Sequence, residues 1–245
     1  YTYPDGTVGL NGVSFRITHG ESVALVGENG AGKSTLLLHM NGYLSATQGR
    51  MRIGDYFVSP GSLNTVRRSV GMVFQNSDDQ LFMPTVFEDV AFGPMNLGLE
   101  REELEHKVME ALETVGAAHL KHRPPYRLSH GEKRSVAIAT VLAMSPDILV
   151  MDEPTSSLDP MSRMHLIELL KTFHHTKIIA THDLDMAMDL CERAIVLHQG
   201  RITGDGPTTE LFQDEKLLHG SSLERPLRMQ GCPICGLPES GKEEA

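Results

Sequence analysis

Short apolar runs alternate along this chain with segments in which apolar residues recur every three or four positions. Three of the runs cover residues 23–26, 71–74 and 148–151. Runs this short are typical of strands buried on both faces, and their alternation with helical patterns is typical of a mostly parallel sheet covered by helices. The pattern therefore predicts an α/β fold.

Two further patterns predict local elements. Residues 101–115 carry Leu104, Val108 and Leu112 at helical spacing, which predicts an amphipathic helix whose apolar side packs in the core. Residues 196–202 place Gln199-Gly200 between two strand-like segments, which predicts a β-hairpin without chemistry of its own.

A glycine-rich loop follows the first apolar run and precedes a helical pattern. Its glycines allow successive backbone N–H groups to point at phosphate oxygens, and the helix adds the positive end of its dipole. Lys33 can supply charge to the β- and γ-phosphates, and Ser34 can offer its hydroxyl to Mg²⁺. The loop predicts a nucleotide-binding site formed by Gly27, Glu28, Asn29, Gly30, Ala31, Gly32, Lys33, Ser34 and Thr35.

Two carboxylates end the apolar run at residues 148–151. Asp152 is placed to hold Mg²⁺, and Glu153 is placed to orient and deprotonate a water that attacks the γ-phosphate. Alone, an Asp-Glu pair at a strand end fits an ordinary solvated turn. Together with the phosphate loop it predicts ATP hydrolysis.

Composition restricts the class of protein. The chain has 245 residues with 32 Asp and Glu against 22 Lys and Arg, and no apolar stretch is long enough to cross a bilayer. The acidic balance argues against a nucleic-acid partner, which needs a basic face. The three cysteines fit a reducing compartment. Because the sequence starts at Tyr1, we expect a short segment to precede it.

A third motif precedes another helical pattern, at residues 128–134. Ser129 and Glu132 have the spacing of a capping box, so a helix is expected to begin here. The motif resembles the signature of the ATPase subunits of ABC transporters. The resemblance implies a head-to-tail dimer with two ATP molecules at its interface, each contacted in the opposite subunit by Ser129, His130, Gly131 and Glu132.

The same resemblance extends from Tyr1 to about residue 220 and implies further roles. Tyr3 matches the aromatic residue that stacks on adenine, with Tyr1 as the weaker candidate, and Gln75 matches a glutamine that contacts Mg²⁺ and the water. Asp159 matches a loop at the dimer interface. His182, after the expected strand at 177–179, matches the histidine that contacts the γ-phosphate, although a lone histidine there is more often structural.

One signature position departs from the commonest pattern of the family. His130 stands where that pattern has glycine, and its imidazole could add a titratable donor beside the γ-phosphate. We expect instead a tolerated variant whose side chain faces solvent.

The resemblance also implies how the chain is divided. We expect a P-loop NTPase core of RecA-like type from residues 1–75 and 145–218, with a mostly parallel sheet and an antiparallel β element. Residues 76–144 form an inserted α-helical subdomain, so that 1–220 is one ABC ATPase domain and 221–245 a partly disordered tail.

Residues 76–82 and 84–94 indicate a subfamily within the ABC transporter ATPases. They are similar to the ATPases of energy-coupling-factor uptake systems, including the cobalt and nickel transporters. In that family the surface next to Gln75 receives a helix of the transmembrane subunit, and Phe82, Met83 and Phe87 are candidate contacts. The alternative is that these side chains pack inside the insert.

The tail contains Cys232 and Cys235 with a two-residue spacing, which is half of a zinc ribbon. Three interpretations stay open: a free pair, a disulfide formed under oxidation, or a metal site completed across the dimer. Cys191 is expected in a helix and in the core.

These patterns together predict an ATPase that powers import of cobalt or nickel from the cytoplasmic face of a membrane. Its cofactors are ATP and Mg²⁺, bound through Ser34, Gln75 and Asp152, and its partners are a second copy or a paralogue together with integral membrane subunits. Alternatives are the ATPase of a vitamin-uptake system, a soluble ABC-type switch, and a metal-responsive module in which ATP is only structural.

Overall fold

A six-stranded sheet with helices on both faces forms the centre of the molecule. The computed structural model describes residues 1–230. The strands of this part are β1 Ser22–Val26, β2 Arg52–Ile53, β3 Tyr56–Phe57, β4 Val70–Val73, β5 Ile148–Asp152, β6 Thr176–Thr181, β7 Arg193–His198 and β8 Arg201–Pro207. Its α-helices are α1 Lys33–Met40, α2 Leu63–Ser69, α3 Val86–Asn96, α4 Arg101–Thr114, α5 His130–Leu142, α6 Pro160–Thr172, α7 Leu184–Leu190, α8 Thr208–Leu211 and α9 Glu215–Gly220.

The strand order of the main sheet is β4-β5-β6-β1-β7-β8, and β2 pairs with β3 in a separate antiparallel ribbon. Neighbouring strands from β4 to β7 run parallel, whereas β8 is antiparallel to β7. The predicted α/β fold with a mostly parallel sheet and an antiparallel element is therefore confirmed. In a parallel sheet the carboxyl ends of the strands meet at one edge, and the predicted catalytic positions all follow such ends.

The central strand shows why both faces of the sheet are apolar. In β1, Val23 and Leu25 pack with α1 and α2, while Ala24 and Val26 point into the cluster that includes α3, α4 and α5. All four side chains are buried because helices cover both sides. Within residues 1–230, no helix combines the length and apolar composition needed to cross a bilayer.

The helical layer comes from one continuous stretch between β4 and β5. The helix predicted at 101–115 is confirmed as α4, with Val108 and Leu112 buried and Leu104 partly buried against them. The chain passes from α3 through α4 to α5 before it returns to the sheet at β5.

The predicted hairpin is formed by β7 and β8. Gln199 and Gly200 have φ values of 48° and 72°, as a tight turn of the left-handed type requires. Cys191 is buried as expected, but it lies just after the end of α7 and not inside a helix. Burial raises the pKa of its thiol to about 12. The cysteine pair at 232 and 235 lies outside the described residues.

Substitution of Gly71 tests the contact between β4 and the helical layer. A Cβ added at Gly71 would lie 2.3 Å from Cγ1 of Val141 and 2.7 Å from Cγ of Pro146, and both of these residues are buried. We expect Gly71→Ala to lower the free energy of unfolding by about 1–3 kcal/mol through overpacking. Urea denaturation measures this change.

The matched control is Gly61→Ala, since nothing lies within 4 Å of a Cβ added there. It should change stability by less than about 0.5 kcal/mol. Equal effects of the two substitutions would contradict the close approach of β4 to α5.

Candidate nucleotide-binding site

The glycine-rich loop connects β1 to α1 at the carboxyl edge of the sheet and is tightly confined. A Cβ at Gly27 would lie 2.3 Å from the carbonyl oxygen of Leu197, which belongs to β7. Gly32 has a φ of 106°, and a Cβ there would lie 2.7 Å from the carbonyl oxygen of Gly9. Glycine is therefore required both by conformation and by the chain segments that support the loop.

Lys33 is buried at the start of α1, and its amine bends back over the loop. The Nζ atom donates to the carbonyl oxygens of Gly27 at 2.8 Å and Glu28 at 3.1 Å. It also lies 3.5 Å from Oε1 of Glu153. The cation is thus held at the centre of the loop, where phosphate oxygens can replace the carbonyl contacts.

Asp152 ends β5 inside the protein, and its environment fits a magnesium ligand. Burial raises the pKa of this carboxyl group and the adjacent charge of Glu153 adds to that, while a hydrogen bond from Ser34 opposes the shift. Within residues 1–230, Oδ1 of Asp152 is buried without a hydrogen-bond partner. A carboxylate oxygen with free bonding capacity next to a serine hydroxyl suits Mg²⁺, which usually takes one or two protein ligands along with phosphates and waters.

The side chains of Glu153 and His182 contact each other in the site. Oε2 of Glu153 lies 2.9 Å from Nδ1 of His182, and the Glu153 side chain is buried whereas that of His182 is 58% exposed. Glu153 has a φ of 44°, which is uncommon for a residue with a Cβ. Its N–H donates to the carbonyl oxygen of Ala180 at 2.8 Å, which helps to hold this conformation. Such local strain is often found at functional positions.

Gln75 is exposed just beyond β4, and the loop that carries it is held by a residue that the motifs did not identify. The buried Arg134 on α5 donates through Nη1 to the carbonyl oxygen of Phe74 at 2.7 Å, and through Nη2 to that of Gln75. Burial lowers the pKa of Arg134, and the charge of Asp152 opposes that shift. Arg134 therefore connects the helix of the signature motif to the backbone of the Gln75 loop.

Gln80 makes a second connection of this kind. Its Oε1 accepts from the N–H of Phe74 at 3.2 Å, and its Nε2 donates to the carbonyl oxygen of Ala137 at 2.8 Å. The contacts between the Gln75 loop and α5 are thus largely polar.

The signature residues begin α5 as the capping-box spacing predicted. The hydroxyl of Ser129 accepts from the N–H of Glu132, and the carboxylate of Glu132 accepts from the N–H of Ser129 at 2.7 Å. His130 is exposed, and Gly131 packs against Ser162.

A cavity of about 260 Å³ lies next to the signature motif. None of the phosphate-loop residues lines it. Its lining residues are Gln75, Asn76, Ser77, Asp78, His130, Lys133, Arg134, Ser156, Ser157 and Leu158.

Of the remaining candidates, Tyr1 and Tyr3 lie beside the phosphate loop, and Asp159 lies at the start of α6. Tyr3 is half-buried, and its hydroxyl is 2.7 Å from Oγ1 of Thr35, so its ring stands beside the start of α1. The ring of Tyr1 packs edge-on against it with centroids 4.9 Å apart. Asp159 is exposed and caps α6 by accepting from the N–H groups of Met161 and Ser162.

The candidate docking residues separate into two groups. Phe82 is 63% exposed and packs edge-on against Phe92, whereas Phe87 packs partly buried against the core and Met83 is half-buried. Oδ1 of the buried Asp89 accepts from the N–H groups of Phe82 at 2.9 Å and Met83 at 3.0 Å. The motifs did not predict this role of Asp89, because an acidic residue in the first turn of a helix is common.

Substitution of Arg134 tests the connection between α5 and the Gln75 loop. Arg134→Gln leaves the partly buried carbonyl oxygens of Phe74 and Gln75 without their charged donor, so we expect the free energy of unfolding to fall by about 1–3 kcal/mol. ATP turnover should fall as well, because Gln75 loses its fixed backbone. Chemical denaturation and steady-state ATPase assays measure the two effects.

The control is Lys133→Gln, which removes an ion pair between Lys133 and the exposed Asp78. We expect a loss of stability below about 1 kcal/mol there. An Arg134→Gln protein with unchanged turnover would show that this contact does not serve the site.

The sequence of this chain is similar to those of known proteins. A family model described as ABC transporter matches residues 10–156. A putative ABC transporter ATP-binding protein of Geobacter sulfurreducens is 66% identical over 96% of this chain and 95% of that protein. The energy-coupling factor transporter ATP-binding protein EcfA of Methanothermobacter thermautotrophicus is 47% identical over 96% of this chain and 79% of that protein.

Solved structures give the same result. The structure of cbiO1 from Clostridium perfringens, described as part of the ABC transporter complex cbiONQ, is 40% identical with a TM-score of 0.79 and covers 90% of each chain. The ATP-binding cassette MJ0796, in a dimeric post-hydrolysis state with ADP and Pi, is 28% identical with a TM-score of 0.75 and covers 82% of this chain and 91% of that one.

Proposed function

Because the chain belongs to the ATP-binding family of ABC transporters, we propose that it powers import of a transition-metal ion, cobalt or nickel, through a membrane complex. Its likeness to EcfA and cbiO1 makes it an ABC ATPase of the energy-coupling-factor or CbiO type, which binds and hydrolyses ATP. The metal cargo and the roles of individual residues go beyond this likeness and are proposals.

One observation supports the catalytic assignment above all others. Lys33, Asp152, Glu153 and His182 come from three different strand ends, yet Glu153 contacts both Lys33 and His182. The parallel register that pairs Val26 with Thr181 and Asp152 with Ala180 produces this convergence. A scaffold turn would not need a buried carboxylate between an amine and an imidazole.

In the proposed mechanism the loop N–H groups and Lys33 bind the phosphates of ATP. Glu153 orients a water in line with the γ-phosphate and accepts its proton, and His182 contacts the γ-phosphate and positions Glu153. Ser34, Asp152 and Gln75 would hold Mg²⁺, which would supply charge stabilisation at the phosphates. Tyr3 stacks on the adenine. The hydrolysis step therefore depends mainly on position and charge.

We propose that the working unit is a dimer, with a second copy or a paralogue. His130 of the signature lines a cavity beside α5 that no phosphate-loop residue lines, which supports a contact between these two groups of residues from different subunits. The similar cassette MJ0796 is dimeric with ADP and Pi bound. ATP held by both subunits favours closure, and loss of the γ-phosphate removes that preference. In this arrangement Ser129, His130, Gly131 and Glu132 contact the opposite ATP, and Asp159 lies at the interface.

We propose that membrane subunits dock next to the Gln75 loop, which makes the protein a peripheral subunit at the cytoplasmic face. Phe82 and Phe92 present an exposed aromatic pair there. The metal cargo is supported by the resemblance of residues 76–94 to the cobalt and nickel systems and by the likeness to cbiO1. A vitamin is the alternative cargo, and it is equally consistent with the likeness to EcfA.

Glu153→Gln tests the proposed base. The amide keeps the shape of the side chain but cannot accept the proton, so we expect hydrolysis to fall by about 10²–10⁴-fold while ATP still binds. The ATP-bound dimer should then accumulate in size-exclusion chromatography. Glu168→Gln on the exposed side of α6 is the matched control and should hydrolyse ATP at the normal rate. Normal turnover by Glu153→Gln would reject Glu153 as the base.

Affinity purification from native membranes tests the partner and the cargo. With the Glu153→Gln protein as bait in mild detergent and ATP, we expect small integral membrane subunits of the cobalt or nickel type, identified by mass spectrometry. A vitamin-binding subunit would keep the mechanism and change the cargo. Recovery without any membrane protein would favour a soluble switch ATPase.

A further inference from the structure

We propose that Arg163 and Asp183 are positioning residues that couple the loop carrying Asp159 to His182. The inference rests on the proposed ATPase mechanism and adds two residues to it. Neither residue belongs to the nucleotide loop, the signature motif or the carboxylate pair.

Arg163 and Asp183 form an ion pair between α6 and the start of α7. Oδ2 of Asp183 accepts from Nη2 of Arg163 at 2.8 Å and from Nε at 3.1 Å. Both side chains are half-buried, with 34% and 28% exposed for Arg163 and Asp183. Two charge-assisted hydrogen bonds from one guanidinium to one carboxylate oxygen hold Arg163 against Asp183.

The other oxygen of Asp183 holds the start of α7. Oδ1 accepts from the N–H of Met186 at 2.9 Å and so caps α7. The N–H of Asp183 donates to Oγ1 of Thr181 at 3.0 Å, and that hydroxyl donates to Oε2 of Glu153 at 3.3 Å. The residues on both sides of His182 are therefore held, although the His182 side chain itself is largely exposed.

The first turn of α6 connects Arg163 to the loop that carries Asp159. The N–H of Arg163 donates to the carbonyl oxygen of Asp159 at 2.9 Å, one helical turn away. The carboxylate of Asp159 caps the same turn, and Pro160 occupies its first position. A displacement of Asp159 is thus transmitted along a rigid turn to Arg163.

These contacts form one path from the Asp159 loop through α6 to His182 and Glu153. A movement of the loop when the dimer closes would shift Arg163 and, through Asp183, the segment that carries His182. The position of His182 relative to Glu153 therefore depends on the state of the interface.

The test uses Arg163→Gln, Asp183→Asn and the double variant in the full chain. Asparagine caps helices about as well as aspartate, so Asp183→Asn keeps the cap of α7 and removes the charge that Arg163 contacts. We expect each single variant to lower kcat by about tenfold, because small displacements of catalytic groups are costly. The KM for ATP should stay within about twofold, since the phosphate loop is unaffected. The double variant should be no slower than the singles, because each removes the same contact.

Two further variants separate positioning from stability. Lys171→Gln removes an exposed ion pair with Glu168 on the same helix and should leave kcat unchanged. Arg163→Lys keeps the charge and should recover part of the lost rate. Unfolding midpoints of the Arg163 and Asp183 variants should lie close to that of Lys171→Gln.

Three results would overturn the inference: kcat of the single variants within twofold of wild type, single effects that multiply in the double variant, or a kcat that falls only in parallel with the unfolding midpoint. Glu153→Gln serves as the reference for the proposed function. If it abolishes hydrolysis while Arg163→Gln works at the normal rate, the coupling is wrong and the proposed function stands.

Discussion

Two adjacent carboxylates, Asp152 and Glu153, are buried at the end of one strand, and this concentration of negative charge determines much of the surrounding structure. Like charges in a medium of low polarity are unfavourable unless cations and hydrogen-bond donors compensate them. Glu153 has Lys33 and His182 as neighbours, whereas Asp152 keeps one oxygen without a partner in residues 1–230. The compensation is incomplete, and a site that still lacks positive charge is well suited to a divalent cation.

The contacts between the sheet and the helical layer are of two kinds, and they have different mechanical consequences. Val141 packs against Gly71 so closely that no side chain fits there, which fixes β4 to α5. Beyond the strand end the contacts are polar: Arg134 and Gln80 bind backbone groups of the Gln75 loop. Apolar interdigitation resists sliding, while hydrogen bonds to carbonyl groups can be exchanged for others. The packing of β4 against α5 is therefore rigid, whereas the contacts of the Gln75 loop with α5 can rearrange.

Sequence patterns predicted the fold and the candidate residues at the strand ends because both depend on local order along the chain. The phosphate loop and the Asp152-Glu153 pair were recognisable since each follows an apolar run. The roles of Arg134, Asp89 and the Arg163–Asp183 pair were not recognisable, because they depend on side-chain contacts that the spacing of apolar and polar positions does not reveal. Cys191 shows the same limit, since α7 ends at Leu190 and Cys191 already has an extended backbone.

Lys33 contacts both the phosphate loop and the carboxylate of Glu153. The amine of Lys33 donates to the carbonyl oxygens of Gly27 and Glu28 and lies, more distantly, near the carboxylate of Glu153. Phosphate oxygens carry full charge and attract the amine more strongly than carbonyl oxygens do. An amine that turns to the phosphates moves away from the carboxylate of Glu153, which lies 3.5 Å from it. Lys33 thus connects the proposed phosphate site to the carboxylate proposed to activate the water, and the 2.9 Å contact with His182 is a second contact of that carboxylate.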